Sequence, residues 1–153
     1  VALGRTQPRA AELRAIVAAM RIATELERIG DCAVEIARDS SAPGLPAALL
    51  EKGLSPMVEL VRSMLAETLR ALARSDTSLA RKVIPGAAAA GVLQEDAMRS
   101  MLAHATGDPA VLPAVFRLAD AAGSLQRVAR HVANVAEMVL YAAEAPLAAA
   151  ALA

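Results

Sequence analysis

Apolar residues recur at spacings of three and four along most of this chain, which is the period of an amphipathic helix. The pattern predicts four main helices, separated by turns that contain Ser, Pro, Gly or Asp. These helices span about residues 7–39, 56–74, 77–104 and 109–143, with one or two further helical turns over 46–52. Because Pro85 removes a backbone donor inside the third helix, we expect a kink or a short break there.

The composition supports an all-α fold, here an antiparallel helical bundle. Alanine dominates the apolar residues, which make up 56% of the chain, whereas aromatic residues make up only 1%. Alanine is the best helix former, while strands favour β-branched and aromatic residues. The single cysteine, Cys32, excludes a disulfide framework and fits a reduced, cytoplasmic setting.

Charge and hydropathy exclude several classes of partner. Lys and Arg total 16, as do Asp and Glu, so the sequence carries no basic excess that would indicate nucleic-acid binding. No uncharged apolar stretch is long enough to predict a membrane span, and no signal peptide is recognisable. The chain opens at Val1 without Met, so we expect that this is not the natural N-terminus.

A row of acidic residues lies on the first helix. Glu27, Asp31 and Glu35 recur every four residues and so share one helix face. Three carboxylates repel one another unless a cation such as magnesium, manganese or iron neutralises them. Arg28, an arginine from another helix, or simple solvation is the more common explanation. Gly30 costs about 1 kcal/mol relative to Ala inside a helix, so we expect a facing helix or an ion to approach closely there.

The last helix carries a second group of polar residues, namely His131, Asn134 and Glu137. They could complete a polar face, although surface polarity is the favoured interpretation. A di-iron carboxylate bundle needs Glu-x-x-His pairs, and neither histidine of this chain has Glu three residues before it. Because no phosphate-binding loop, nucleophile elbow or Ser/His/Asp grouping is recognisable either, the sequence predicts a protein that is not an enzyme.

The two long helices resemble each other at an offset of 99 residues. Residues 26–31 (LERIGD) align with residues 125–130 (LQRVAR), and the match follows the apolar stripe. Such an echo predicts two related helical units. The interpretation assigns residues 1–41 to the last helix of the first unit, 46–145 to a complete second unit, and 146–153 to a tail.

These segments resemble the PhoU-type phosphate-uptake regulators. The run QPRAAELRAIVAAMRIATELERIGDCAVEIA at 7–37 is similar to the third helix of that family's first repeat. Residues 56–83 are similar to the start of the second repeat, and LQRVARHVANVAEMVLY at 125–141 to its closing helix. The resemblance implies tandem three-helix bundles and a homodimeric, cytoplasmic, non-enzymatic regulator. Its implied partners are a phosphate ABC transporter subunit and a sensor histidine kinase, and its implied role is to repress the phosphate-starvation response.

Some members of that family hold iron or zinc on their acidic motifs. Of the first motif, this chain keeps the residues Glu27, Arg28, Gly30 and Asp31, and Glu35 falls where many members have Asn or another polar residue. The resemblance therefore implies Glu27, Asp31 and Glu35 as candidate ligands for iron, zinc or magnesium.

The second motif departs from the family pattern. Gln126 and Arg130 replace its acids, Ala129 replaces its glycine, and alanines occupy 87–90, where another family acid is expected. Arg130 is a permanent cation, so we expect no metal cluster on the second repeat. The residues that match the family and are candidates for partner contact are Arg28, Arg127, His131, Asn134 and Glu137, while Tyr141 also matches.

Two other functions stay open on the sequence alone: a metal-binding helical protein, and a helical dimerisation module of a transporter. The first helix should also lack two of its bundle partners and expose part of its apolar stripe. We therefore expect either that the chain is a piece of a protein with about six helices, or that a neighbouring chain covers the stripe.

Overall fold

The computed structural model describes residues 10–41, 47 and 50–143. They form, in chain order, α1 (Ala10–Ser40), a π-helical turn (Leu50–Leu54), α2 (Ser55–Arg74), α3 (Thr77–Val83), α4 (Gly86–Gly107), a 3₁₀ turn (Pro109–Val111) and α5 (Leu112–Ala143). These described segments contain no β-strand, so the predicted all-α bundle is confirmed. The predicted start of the first helix at residue 7 lies outside the described residues, as do residues 46, 48 and 49.

A full break separates α3 from α4, where the sequence predicted one helix with a kink or a short break. Pro85 has no backbone N–H to donate, and α3 ends before it at Val83. Gly86 then begins α4 in close contact with α2, because a Cβ atom there would lie 2.6 Å from Sδ of Met64. The glycine thus allows the two helices to approach at this point.

The turn between α2 and α3 is built from Ser75 and Asp76, as the sequence predicted. Ser75 adopts φ 53°, a left-handed conformation that commonly ends helices. The Asp76 amide donates to the Ala71 carbonyl at 2.9 Å, and the Asp76 carboxylate accepts from the Leu79 amide at 2.9 Å. The same residue therefore closes one helix and caps the next.

The long helix α5 is the centre of the bundle. Helices α1, α2, α3 and α4 all pack against it. Its inward residues are buried along its whole length and include Val115, Leu118, Leu125, Val132 and Val139. Helix α1 runs antiparallel to α5, since its residue 25 meets residue 134 while its residue 35 meets residue 124.

Hydropathy in the structure agrees with the sequence on one further point. Among the described residues, no helix combines the length and the apolar character that a membrane crossing requires.

Candidate functional site

Two polar clusters join α1 to α5 across an otherwise apolar contact. Each cluster centres on one glutamate of α1, Glu25 or Glu35, that accepts hydrogen bonds from α5. Between them lies Cys32, which is buried and free, as the sequence analysis expected. Polar groups in such a contact must be satisfied by one another, because water has limited access.

The Glu25 cluster is the more buried of the two. Oε2 of Glu25 lies 2.6 Å from Nδ1 of His131 and 3.2 Å from Nδ2 of Asn134. The side chains of Glu25 and His131 are only 14% and 17% exposed. Since a carboxylate can only accept, Nδ1 of His131 carries the proton in this contact. Oε1 of Glu25 also lies 3.5 Å from Nη1 of Arg28, one turn further along α1.

The electrostatics of this cluster favour the ionised carboxylate. Burial alone would raise the pKa of Glu25. The hydrogen bonds from His131 and Asn134, together with the charges of His131 and Arg28, outweigh burial and lower the pKa below its ordinary value of 4.5. Glu25 is therefore a charged, hydrogen-bonded anchor for α1.

The Glu35 cluster repeats this arrangement nearer the other end of α1. Oε2 of Glu35 forms an ion pair with Arg127 and accepts a hydrogen bond from Oγ of Ser124 at 3.1 Å. Arg127 in turn donates to the Ser124 hydroxyl at 2.9 Å. The pKa of Glu35 is lowered, first by the bond from Ser124 and then by the bond from Arg127. One α5 arginine thus neutralises the last acid of the predicted row.

The structure therefore divides the residues that the sequence selected on α5. Arg127, His131 and Asn134 are only partly exposed and bind α1, so surface polarity is the wrong interpretation for His131 and Asn134. Glu137 is exposed, as is Arg130.

The candidate metal ligands do not come together as a cluster. Glu27 and Asp31 are exposed on α1, whereas Glu35 is already paired with Arg127. Within the part of the chain that the structure describes, no three His, Cys, Asp or Glu side chains are placed to share an ion. This donor set does not fit a multinuclear metal cluster. A metal on Glu27 and Asp31 stays a prediction for direct measurement.

Gly30 does not have the close neighbour that the sequence predicted. A Cβ atom on Gly30 would meet no described atom within 4 Å, and the residue is exposed. Its neighbour Arg28 pairs with Glu25 and not with the acids at 27 and 31.

Sequence reasoning missed Glu25 and Ser124, although a signal for both was present. Glu25 lies on the buried stripe of α1, between Ile22 and Ile29 at spacings of three and four. Ser124 likewise lies among the buried residues of α5. A polar residue on an apolar stripe indicates a partner on the facing helix, because it would otherwise be buried without hydrogen bonds.

Comparisons with known proteins agree on one family. The family model described as the PhoU domain matches residues 1–40 and 54–139. A curated relative from Pseudomonas aeruginosa, named phosphate-specific transport system accessory protein PhoU homolog, is 34% identical over 147 residues. A relative of the same name from Rhizobium meliloti is 29% identical over 146 residues. The matches cover 91% and 94% of this chain but only 58% and 61% of those relatives.

A solved structure agrees with the sequence relatives. The crystal structure of PhoU from Pseudomonas aeruginosa superposes with a TM-score of 0.78 at 32% identity, covering 92% of this chain and 68% of that one. The fold likeness thus extends over nearly all of the chain.

Replacing Glu25 by Gln should destabilise the protein by about 1 kcal/mol at neutral pH, because a charged hydrogen-bond acceptor is lost. The pKa of Glu25 is lowered in the folded state, so its stabilisation is present above pH 4.5 and is lost as the pH falls through the folded pKa. Urea unfolding across this range should show the difference between the two proteins shrinking with acidity. The exposed Glu95→Gln should differ little from wild type at any pH, and a Glu25→Gln deficit that does not shrink with acidity would contradict the assignment.

Purified protein should contain no stoichiometric iron or zinc bound at the second motif, because Arg130 repels a cation and Gln126 is a poor ligand. Elemental analysis of protein loaded with each metal checks this. The double variant Gln126→Glu/Arg130→Asp is the matched control for a restored acidic motif. Stoichiometric metal lost on mutating Asn134 or Glu137 would refute the prediction.

Proposed function

Because the chain belongs to the PhoU family, we propose that it is a regulatory accessory protein of phosphate transport. The observation that carries this proposal is the PhoU-domain match over residues 1–40 and 54–139. Relatives of 34% identity that are named phosphate-specific transport system accessory proteins give the same direction. The chain spans about three fifths of the length of these curated relatives, so partners and activity are inferred for this chain and not transferred whole.

The proposed mechanism is regulation by protein contact and not by catalysis. A cytoplasmic homodimer would bind a subunit of a phosphate ABC transporter and a sensor histidine kinase, and would repress the phosphate-starvation response. Among the sequence candidates, Arg28 and Glu137 are exposed and available to such partners. Arg127, His131 and Asn134 are engaged with α1, so we assign them to positioning that helix.

The metal-binding alternative has less support from the described residues. Its three ligands on α1 are divided between solvent and Arg127, and its second motif carries Gln126 and Arg130. A regulatory metal at the exposed pair Glu27 and Asp31 remains compatible with the contact mechanism, since two carboxylates alone can hold a weakly bound cation.

The proposal predicts that this chain restores phosphate repression in a bacterial host that lacks its own PhoU. Alkaline phosphatase activity in phosphate-replete cells reports the response, and affinity capture tests recovery of the transporter ATPase subunit and the kinase. Glu137→Arg should weaken capture about tenfold, which corresponds to about 1.4 kcal/mol.

The matched control is Arg62→Glu on α2, an exposed residue whose charge reversal should leave capture unchanged. Repression that is not restored, with neither partner captured from replete or starved cells, would contradict the regulatory proposal.

A further inference from the structure

The outer face of α1 is apolar although no described residue covers it. Leu13, Met20 and Val34 are 47%, 68% and 71% exposed, and they point away from α5. These residues belong to a seven-residue repeat that we call the outer seam: Leu13, Ile16, Met20, Ala23, Glu27, Gly30, Val34 and Ala37. Spacings alternate between three and four along all eight positions.

Such a repeat is the pattern of a helix that packs against another helix at a shallow angle. Helix α1 already buries its opposite stripe, which includes Ile22 and Cys32, in the bundle with α5. The outer seam is therefore a second helix-packing surface on the same helix. An apolar surface of this kind is costly in water, so it indicates a partner.

We propose that this partner is α1 of a second copy of the chain, packed antiparallel across a two-fold axis near Glu25. The inference gives a surface to the homodimer in the proposed function and rests on it only to that extent. Size and charge both favour this occupant.

Size complementarity is the first argument. In antiparallel helix pairs, the two kinds of seam position face each other, so residues whose numbers sum to 50 form layers. Met20 then faces Gly30 of the second copy, and Leu13 faces Ala37. The largest exposed seam residues thus meet the smallest ones. Gly30 has open space where its Cβ would be, which Met20 of the second copy would fill.

Charge complementarity is the second argument, and it sets the direction. Arg14 and Arg21 flank the seam in the N-terminal half of α1, whereas Glu27 and Asp31 lie in its C-terminal half. The ion pairs formed within the described chain use none of these four residues. Antiparallel packing places Arg21 beside Glu27 and Arg14 beside Asp31 of the second copy. Parallel packing would place like charges together.

The test is a charge swap on the full 153-residue chain, followed by multi-angle light scattering and sedimentation equilibrium. Wild type should be a dimer. Arg21→Glu alone and Glu27→Arg alone should each be monomeric, because each places two like-charged pairs across the two-fold axis. The double variant Arg21→Glu/Glu27→Arg should dimerise again.

Mixing the two single variants gives the sharpest result. On one side of the axis of the mixed dimer, the glutamate introduced by Arg21→Glu meets the arginine introduced by Glu27→Arg. On the other side, the unchanged Arg21 of one copy meets the unchanged Glu27 of the other, so both pairs are attractive. Two monomeric variants should therefore form a heterodimer when combined. Arg62→Glu on α2, an equal change of charge away from the seam, should leave the wild-type dimer intact.

A packing variant keeps the proposal testable without charge. Gly30→Leu should abolish the dimer and retain the wild-type circular dichroism spectrum, because its side chain points into open space within one copy. A monomeric wild type, or a dimer that survives Arg21→Glu and Gly30→Leu, would overturn the proposal. Loss of phosphate repression with the dimer intact would instead refute the proposed function alone.

Discussion

The packing of α1 along α5 is the contact on which the rest of this structure depends. Helices α2, α3 and α4 contact one another as well as α5, but α5 is the helix that holds α1. The contact combines an apolar stripe with two half-buried glutamates that need partners. If Arg127 or His131 were lost, a carboxylate would remain in the contact without its neutralising group, which is costly in a region of restricted water access. The polar clusters thus fix where α1 lies along α5.

Most of the fold follows from local features of the sequence. Apolar periodicity located the helices, Pro85 located the break between α3 and α4, and Ser75 with Asp76 located a turn. These features act within a few residues, so they can be recognised without knowing the neighbouring helices. The sequence also indicated the family correctly, because the match extends over long helical segments.

The site was harder to predict because its groups come from helices about a hundred residues apart. The acidic row on α1 was judged as one face, yet Glu35 turns to Arg127 while Glu27 and Asp31 face solvent. Glu25 carries the more buried cluster and was overlooked, since nothing within α1 shows that His131 lies opposite. Gly30 has the open space of a helix contact but no described neighbour, and only a second molecule would explain it.

Hydrogen exchange measured by mass spectrometry tests the central claim, that the two polar clusters hold α1 on the bundle. The measurement compares wild type with the double variant Arg127→Leu/His131→Leu. The account predicts faster exchange along α1, with protection unchanged in α2, α3 and α4, because opening of α1 is a local event. Equal protection of α1 in both proteins would contradict the account.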